Sequence, residues 1–169
     1  DIIKAKQTET TQRFKIHLLT SSEEDLFTKI EFSRRGMKEA AVVEPVSAQI
    51  LRSYKMIPLL VPHYDTVSAV QQKIRVLAQR SVLQARDIFD LFVLSSQYTG
   101  SQHSPIPVSR TIFKTAYDNI FLVEFPQFRD TVVAYLAAED QKTYSSPAVW
   151  DEIKLKTAHF LEEFRDGKA

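Results

Sequence analysis

The sequence predicts an α+β fold, with a small antiparallel sheet at the N-terminal side followed by a mostly helical bundle. Three observations carry this expectation. Apolar and polar residues alternate over Arg13–Leu19 and again over Lys29–Ser33, the period of half-buried strands. From Val67 onward the apolar residues recur at helical spacing. Strands thus come first and helices after, the order of a layout in which helices pack on one side of a small sheet.

The elements follow in turn. Residues 1–12 are polar and rich in Thr and Gln, an extended lead-in. In Arg13–Leu19, Phe14, Ile16 and Leu18 share one face, with Lys15 and His17 on the other. Thr20–Asp25 is polar and acidic, a turn. In Lys29–Ser33, Ile30 and Phe32 oppose Lys29, Glu31 and Ser33, so the two strands are expected to pair antiparallel, with Arg34-Arg35-Gly36 breaking the second. Ser47–Tyr54 reads as a short helix after Pro45. Met56–Val61, bounded by Pro58 and Pro62, reads as an edge strand or extended segment. Asp65 or Thr66 caps the next helix. The Ser/Pro/Gly stretch after Leu94 is the clearest loop. Ser109 is expected to cap a helix running to about Glu124 and ended by Pro126. A further helix spans Gln127–Ala138, and a last one starts at Ser146-Pro147. The expected buried set in these three helices includes Phe113, Tyr117, Val132, Leu136, Trp150 and Phe160. The chain divides into a sheet subdomain, 1–64, and a helical subdomain, 65–169.

Composition bounds the function. A chain of 169 residues with 44% apolar residues suits one domain with a second small subdomain. A net charge of +1 leaves any basic site local rather than spread over the surface. The absence of cysteine excludes disulfides and thiolate metal sites, and is compatible with a cytoplasmic location. The longest apolar runs are too short to span a membrane. No signal peptide is visible, and an opening of D-I-I-K-A-K without Met leads us to expect a fragment or a processed product. There is no H-E-x-x-H, G-x-G-x-x-G, Walker A or G-x-S-x-G motif.

The stretch from Val67 to Leu94 concentrates the chemistry. Lys73, Arg80 and Asp87 are seven apart, so in one continuous helix they would lie nearly in line. Alternatively Ser81 caps a second helix and places Arg86 and Asp87 in its first turn. Either way, Lys73, Arg80, Arg86, Asp87 and Asp90 occupy a small region. These residues alone favour a solvated face with an Arg86–Asp90 pair at i,i+4 over a binding site. Lys29 and Glu31, on the polar face of their strand, fit an ordinary surface alternation or a lone carboxylate able to meet a divalent cation.

The runs K-I-R-V-L-A-Q-R and A-R-D-I-F-D-L-F-V-L resemble the Lys…Arg…Arg-Asp-x-x-Asp-Leu helix region of the AbiEii/AbiGii family. Its members are nucleotidyltransferase-like proteins, many of them toxins of bacterial toxin–antitoxin pairs. Lys29-Ile30-Glu31-Phe32 resembles the family's Lys-Ile-Asp/Glu strand, and F-R-D-T-V-V-A-Y-L and W-D-E-I-K resemble its helical tail. The resemblance covers about Arg13 to Phe164. It lacks the Gly-Gly/Gly-Ser turn and Asp-x-Asp strand that hold the triphosphate and two Mg²⁺ ions in that family. The resemblance implies transfer of a nucleotide from a nucleoside triphosphate to an acceptor such as tRNA by the full-length protein, with Mg²⁺ as cofactor. It gives Glu31 the role of accessory metal-holding acid facing one cleft with Lys73. Lys73, Arg80, Arg86, Lys29 and Asp90 would lie about the nucleotide, with Asp87 orienting Lys73 or contacting the nucleotide itself. A cognate antitoxin is the implied protein partner. Without the first motif, the expected state of this chain is weak nucleotide binding without turnover. A non-catalytic helical interaction module is the alternative.

Overall fold

A computed structural model describes residues 2–33, 41–98 and 108–166. The fold is α+β, with two small antiparallel sheets preceding most of the helices. The chain forms two compact units, Asp1–Lys38 and Glu39–Ala169.

The first unit is a three-stranded antiparallel sheet in the order β1 (Ile2–Gln7), β2 (Thr11–Leu19), β3 (Asp25–Ser33). The alternation noted in the sequence governs its faces. Phe14 stands opposite Ile30, Ile16 opposite Thr28 and Leu18 opposite Leu26, all on one side of the sheet. On the other side Arg13 faces Glu31, Lys15 faces Lys29 and His17 faces Phe27. Thr20 closes the β2–β3 turn: its amide donates to the Glu24 carbonyl (3.0 Å) and its hydroxyl accepts from the Glu24 amide (2.9 Å). Glu23 takes up a left-handed backbone there (φ 63°). β1 lies within the stretch read as a lead-in, and its pairing with β2 shifts register between Lys4 and Gln7. The proposed break at Arg34-Arg35-Gly36 lies outside the described residues.

The second unit opens with a hairpin of β4 (Ala41–Pro45) and β5 (Leu60–Tyr64), between which lies helix α1 (Ala48–Ser53). The edge strand or extended segment expected at Met56–Val61 is a strand only from Leu60, and β5 runs on to Tyr64 and includes Pro62. That position is tolerated because a two-stranded sheet has only edge strands.

The stretch 67–94 is two helices, α2 (Thr66–Gln79) and α3 (Ala85–Gln97). Asp65 caps α2, its carboxylate accepting from the Ser68 amide at 2.7 Å. Ser81 does not cap α3; that position is Gln84, whose side chain makes no capping bond.

The remaining helices are α4 (Arg110–Ile120), α5 (Phe125–Thr131), α6 (Ala138–Tyr144) and α7 (Pro147–Asp166), with a 3₁₀ turn at Val133–Tyr135. Ser109 caps α4, as the sequence indicates. Pro126, read as a terminator, instead lies in the first turn of α5, where its missing N–H costs nothing. The helix expected over 127–138 is broken at Val132 into α5 and the 3₁₀ turn.

The core gathers the buried stripes of α2, α3, α4, α5 and α7: Val70, Ile74, Leu77, Ile88, Leu91, Ala116, Ile120, Phe128, Trp150, Ile153 and Leu161. Val132 and Phe160 are buried as expected, whereas Phe113, Tyr117 and Leu136 are only half-buried. Trp150 sits at its centre, stacked on Phe128 with ring centroids 4.2 Å apart. Its indole N–H donates to the buried Val123 carbonyl at 2.9 Å. An indole is tolerated in a core only when its N–H finds such an acceptor.

Trp150→Phe keeps the stack and leaves the Val123 carbonyl without its donor. Urea unfolding is expected to show a loss of about 1–3 kcal/mol, the cost of one unsatisfied buried polar group. A loss below about 0.5 kcal/mol would show that the bond is dispensable.

Candidate functional site

The turn between α2 and α3 is held from outside by two amide side chains. Asn119 on α4 donates from Nδ2 to the Leu77 carbonyl at 2.9 Å, satisfying one of the carbonyls that the last turn of α2 leaves open. Gln127 on α5 accepts from the Ala85 amide (2.9 Å) and donates to the Leu83 carbonyl (3.0 Å). Gln127 thus supplies the cap that Gln84 does not, from more than forty residues along the chain.

This fixed turn delivers Asp87 into the first turn of α3, with its side chain only 1% exposed. A carboxylate taken from water needs cations or donors, and α2 provides them. Lys73 Nζ lies 3.4 Å from Asp87 Oδ1, and Arg80 Nε lies 2.9 Å from Oδ2. The Arg80 contact is close, but neither of its two atoms meets the geometry of a hydrogen bond, so it acts as a charge pair rather than as a directed bond. The positive end of the α3 dipole adds further support for the carboxylate. Lys73 also reaches Asp90 Oδ2, one turn further along α3, at 2.5 Å. Lys73, Arg80 and Asp90 are 27%, 33% and 44% exposed, so water still reaches the cluster.

Four of the sequence-selected residues, Lys73, Arg80, Asp87 and Asp90, are therefore brought together. They meet across a bend between two helices, not along one helix face. Asp90 pairs with Lys73 rather than with Arg86, which is exposed on α3. Asn119 and Gln127 went unnoticed in the sequence, because a polar residue that closes a distant turn leaves no local pattern.

Lys29 and Glu31 belong to the first unit. The Glu31 carboxylate lies 2.6 Å from Arg13 Nε, its cross-strand neighbour, and 3.6 Å from Lys29 Nζ. A two-metal centre needs several carboxylates with oxygens free for the ions. Glu31 is already engaged by two cations, and no group of three or more His, Asp or Glu among the described residues is placed to hold a metal ion. The described residues alone do not fit a Mg²⁺ pair.

A separate open groove of about 650 Å³ runs between α4 and α7. It is lined by Phe113, Tyr117 and Leu161 and by Lys114 and Arg165, which pair with Asp118 and Asp166. None of the candidate site residues Lys29, Glu31, Lys73, Arg80, Arg86, Asp87 and Asp90 lines it. No helix among the described residues is long and apolar enough to cross a membrane. Comparison with protein-family models, curated proteins and solved structures gives no match.

Asp87→Ala strips the α2–α3 bend of its shared anion. Breaking a buried pair costs about 3–5 kcal/mol, reduced here because Lys73 and Arg80 can turn to water, so a loss of about 2–3 kcal/mol is expected. Asp90→Ala, at a half-exposed pair, should cost less than about 1 kcal/mol. Denaturant titration of both variants checks the order, and equal losses would contradict it.

Proposed function

We propose that this chain carries the phosphate-holding helical part of a nucleotidyltransferase-like protein of the AbiEii/AbiGii type, and that it binds nucleoside triphosphate without transferring it. The observation behind the reading is the convergence of Lys73 and Arg80 on buried Asp87. These are the residues to which the resemblance gives phosphate-binding and orienting roles. Asp87 costs the cluster little access, because it approaches from the protein side. Its charge holds two cationic side chains in place before a ligand arrives, which reduces the ordering cost of binding. Lys73 meets phosphate as a point charge, and the Arg80 guanidinium can take two oxygens. Arg86, exposed at the start of α3, supplies a further cation.

Asp90 competes with the ligand for Lys73. Being half-exposed, it can return to water when a phosphate takes its place. In a full-length protein that supplied the Gly turn and Asp-x-Asp strand, Mg²⁺ would join the triphosphate and an acceptor such as tRNA would receive the nucleotide. A cognate antitoxin and a cytoplasmic setting belong to the same reading. The second reading, a non-catalytic interaction module, is favoured by the apolar side chains exposed on and after α1, among them Ile50, Tyr54, Met56 and Ile57.

Calorimetric titration of the chain with each nucleoside triphosphate separates the two. The nucleotide reading expects saturable binding that needs no Mg²⁺. Lys73→Ala should weaken it about tenfold or more, the loss of one charge-assisted bond, and Asp90→Asn should tighten it. Incubation with Mg²⁺, labelled triphosphates and total tRNA should leave the RNA unlabelled. Absence of binding, or indifference to Lys73→Ala, would favour the interaction module, and labelled RNA would overturn the absence of turnover.

A further inference from the structure

The three-stranded sheet ends on β3, whose outer edge pairs with no strand among the described residues. Such an edge offers a row of open N–H and C=O groups to another strand. The opposite edge, β1, is blunted by its register shift, a common protection against edge pairing. β3 has no such irregularity. It pairs with β2 in unbroken register along its full length, and its side chains from Asp25 to Phe32 are exposed. On the apolar side Leu26, Ile30 and Phe32 are 52%, 44% and 54% exposed.

The charges on β3 identify what suits this edge. Within its own sheet Lys29 stands opposite Lys15, an unfavourable like-charge pair. The carboxylate nearest to it is Glu31 of the same strand, at 3.6 Å. When two copies of β3 meet antiparallel about a two-fold axis through Ile30, Ile30 faces Ile30 and Thr28 faces Phe32. Lys29 then faces Glu31, and the two-fold axis makes this opposite-charge pair twice. Other registers are poorer. An axis through Lys29 sets Lys against Lys, one through Glu31 sets Glu against Glu, and one through Thr28 sets Asp25 against Glu31. An axis through Phe27 pairs only Asp25–Lys29 of the strand. Registers offset by a single residue turn the apolar face of one copy onto the polar face of the other. The axis through Ile30 alone combines opposite charges, a continuous apolar face and a long overlap.

We infer that the chain forms a two-fold dimer through antiparallel pairing of β3 with β3 of a second copy, centred on Ile30 and joining the two sheets into one of six strands. The inference rests on the first unit alone and stands apart from the nucleotide reading.

Two variants of the full chain test it, beside the unaltered chain in sedimentation velocity. The unaltered chain should sediment as a concentration-dependent dimer. Lys29→Glu sets carboxylates opposite Glu31 at both symmetric positions, yet within its own sheet it faces Lys15 and so does not weaken the β2–β3 pairing. Its dimer should dissociate about tenfold or more readily, with thermal stability of the monomer retained. The chain contains no cysteine, so Ile30→Cys can form a disulfide only between copies. Side chains directly opposite on antiparallel strands have Cβ atoms about 4.5–5.5 Å apart, and this variant should oxidise to a covalent dimer. Phe27→Cys, displaced from the axis, should not. A monomeric unaltered chain, a Lys29→Glu dimer of undiminished strength, or equal cross-linking of the two cysteine variants would overturn the inference.

Discussion

Asp87 is a carboxylate without access to water, and the helical unit is arranged around that constraint. An anion in this position must be met by cations or donors, because it has lost its solvation by water. Its partners, Lys73 and Arg80, come from the preceding helix, so the charge fixes how α2 and α3 meet. The same geometry leaves the cationic groups a third or less exposed, so they stay within reach of water while they hold the buried carboxylate.

The bend that permits this contact is not self-supporting. Its two helix ends leave backbone groups open, and these are closed by Asn119 from α4 and Gln127 from α5. Those two helices are in turn seated by aromatic contacts: Phe128 of α5 stacks on Trp150 and packs against Phe89 of α3, and Phe113 of α4 packs against Phe164 of α7. Packing places the amides, the amides fix the bend, and the bend buries Asp87. A loss anywhere along this sequence of contacts reaches the charged cluster.

Local patterns made much of this legible. The alternation of Phe14, Ile16 and Leu18 against Ile30 and Phe32 is the period of a strand pair, and the structure has that pair. Asp65 and Ser109 announce their helices because an N-cap acts over three residues. The recurrence of Lys73, Arg80 and Asp87 at a seven-residue interval drew attention to a cluster that does form. Where the outcome depended on distant contacts, the patterns failed. Ser81 looked like the cap of α3, but the cap comes from Gln127. Pro126 looked like a terminator, yet it lies in the first turn of α5, whose Phe128 is buried in the core. Ile2–Gln7 lacks alternation and becomes a strand because β2 offers it an edge.

The central claim is that Asp87 and Lys73 act as one unit across the α2–α3 bend. A double-mutant cycle of Asp87→Asn and Lys73→Met, read by denaturant unfolding, isolates their interaction from the effect of each substitution alone. Residues sharing one buried network couple by about 0.5–3 kcal/mol, and a favourable coupling of about 1 kcal/mol or more is predicted here. Strict additivity of the two substitutions would contradict the account, since the buried charge would then owe nothing to the lysine placed beside it.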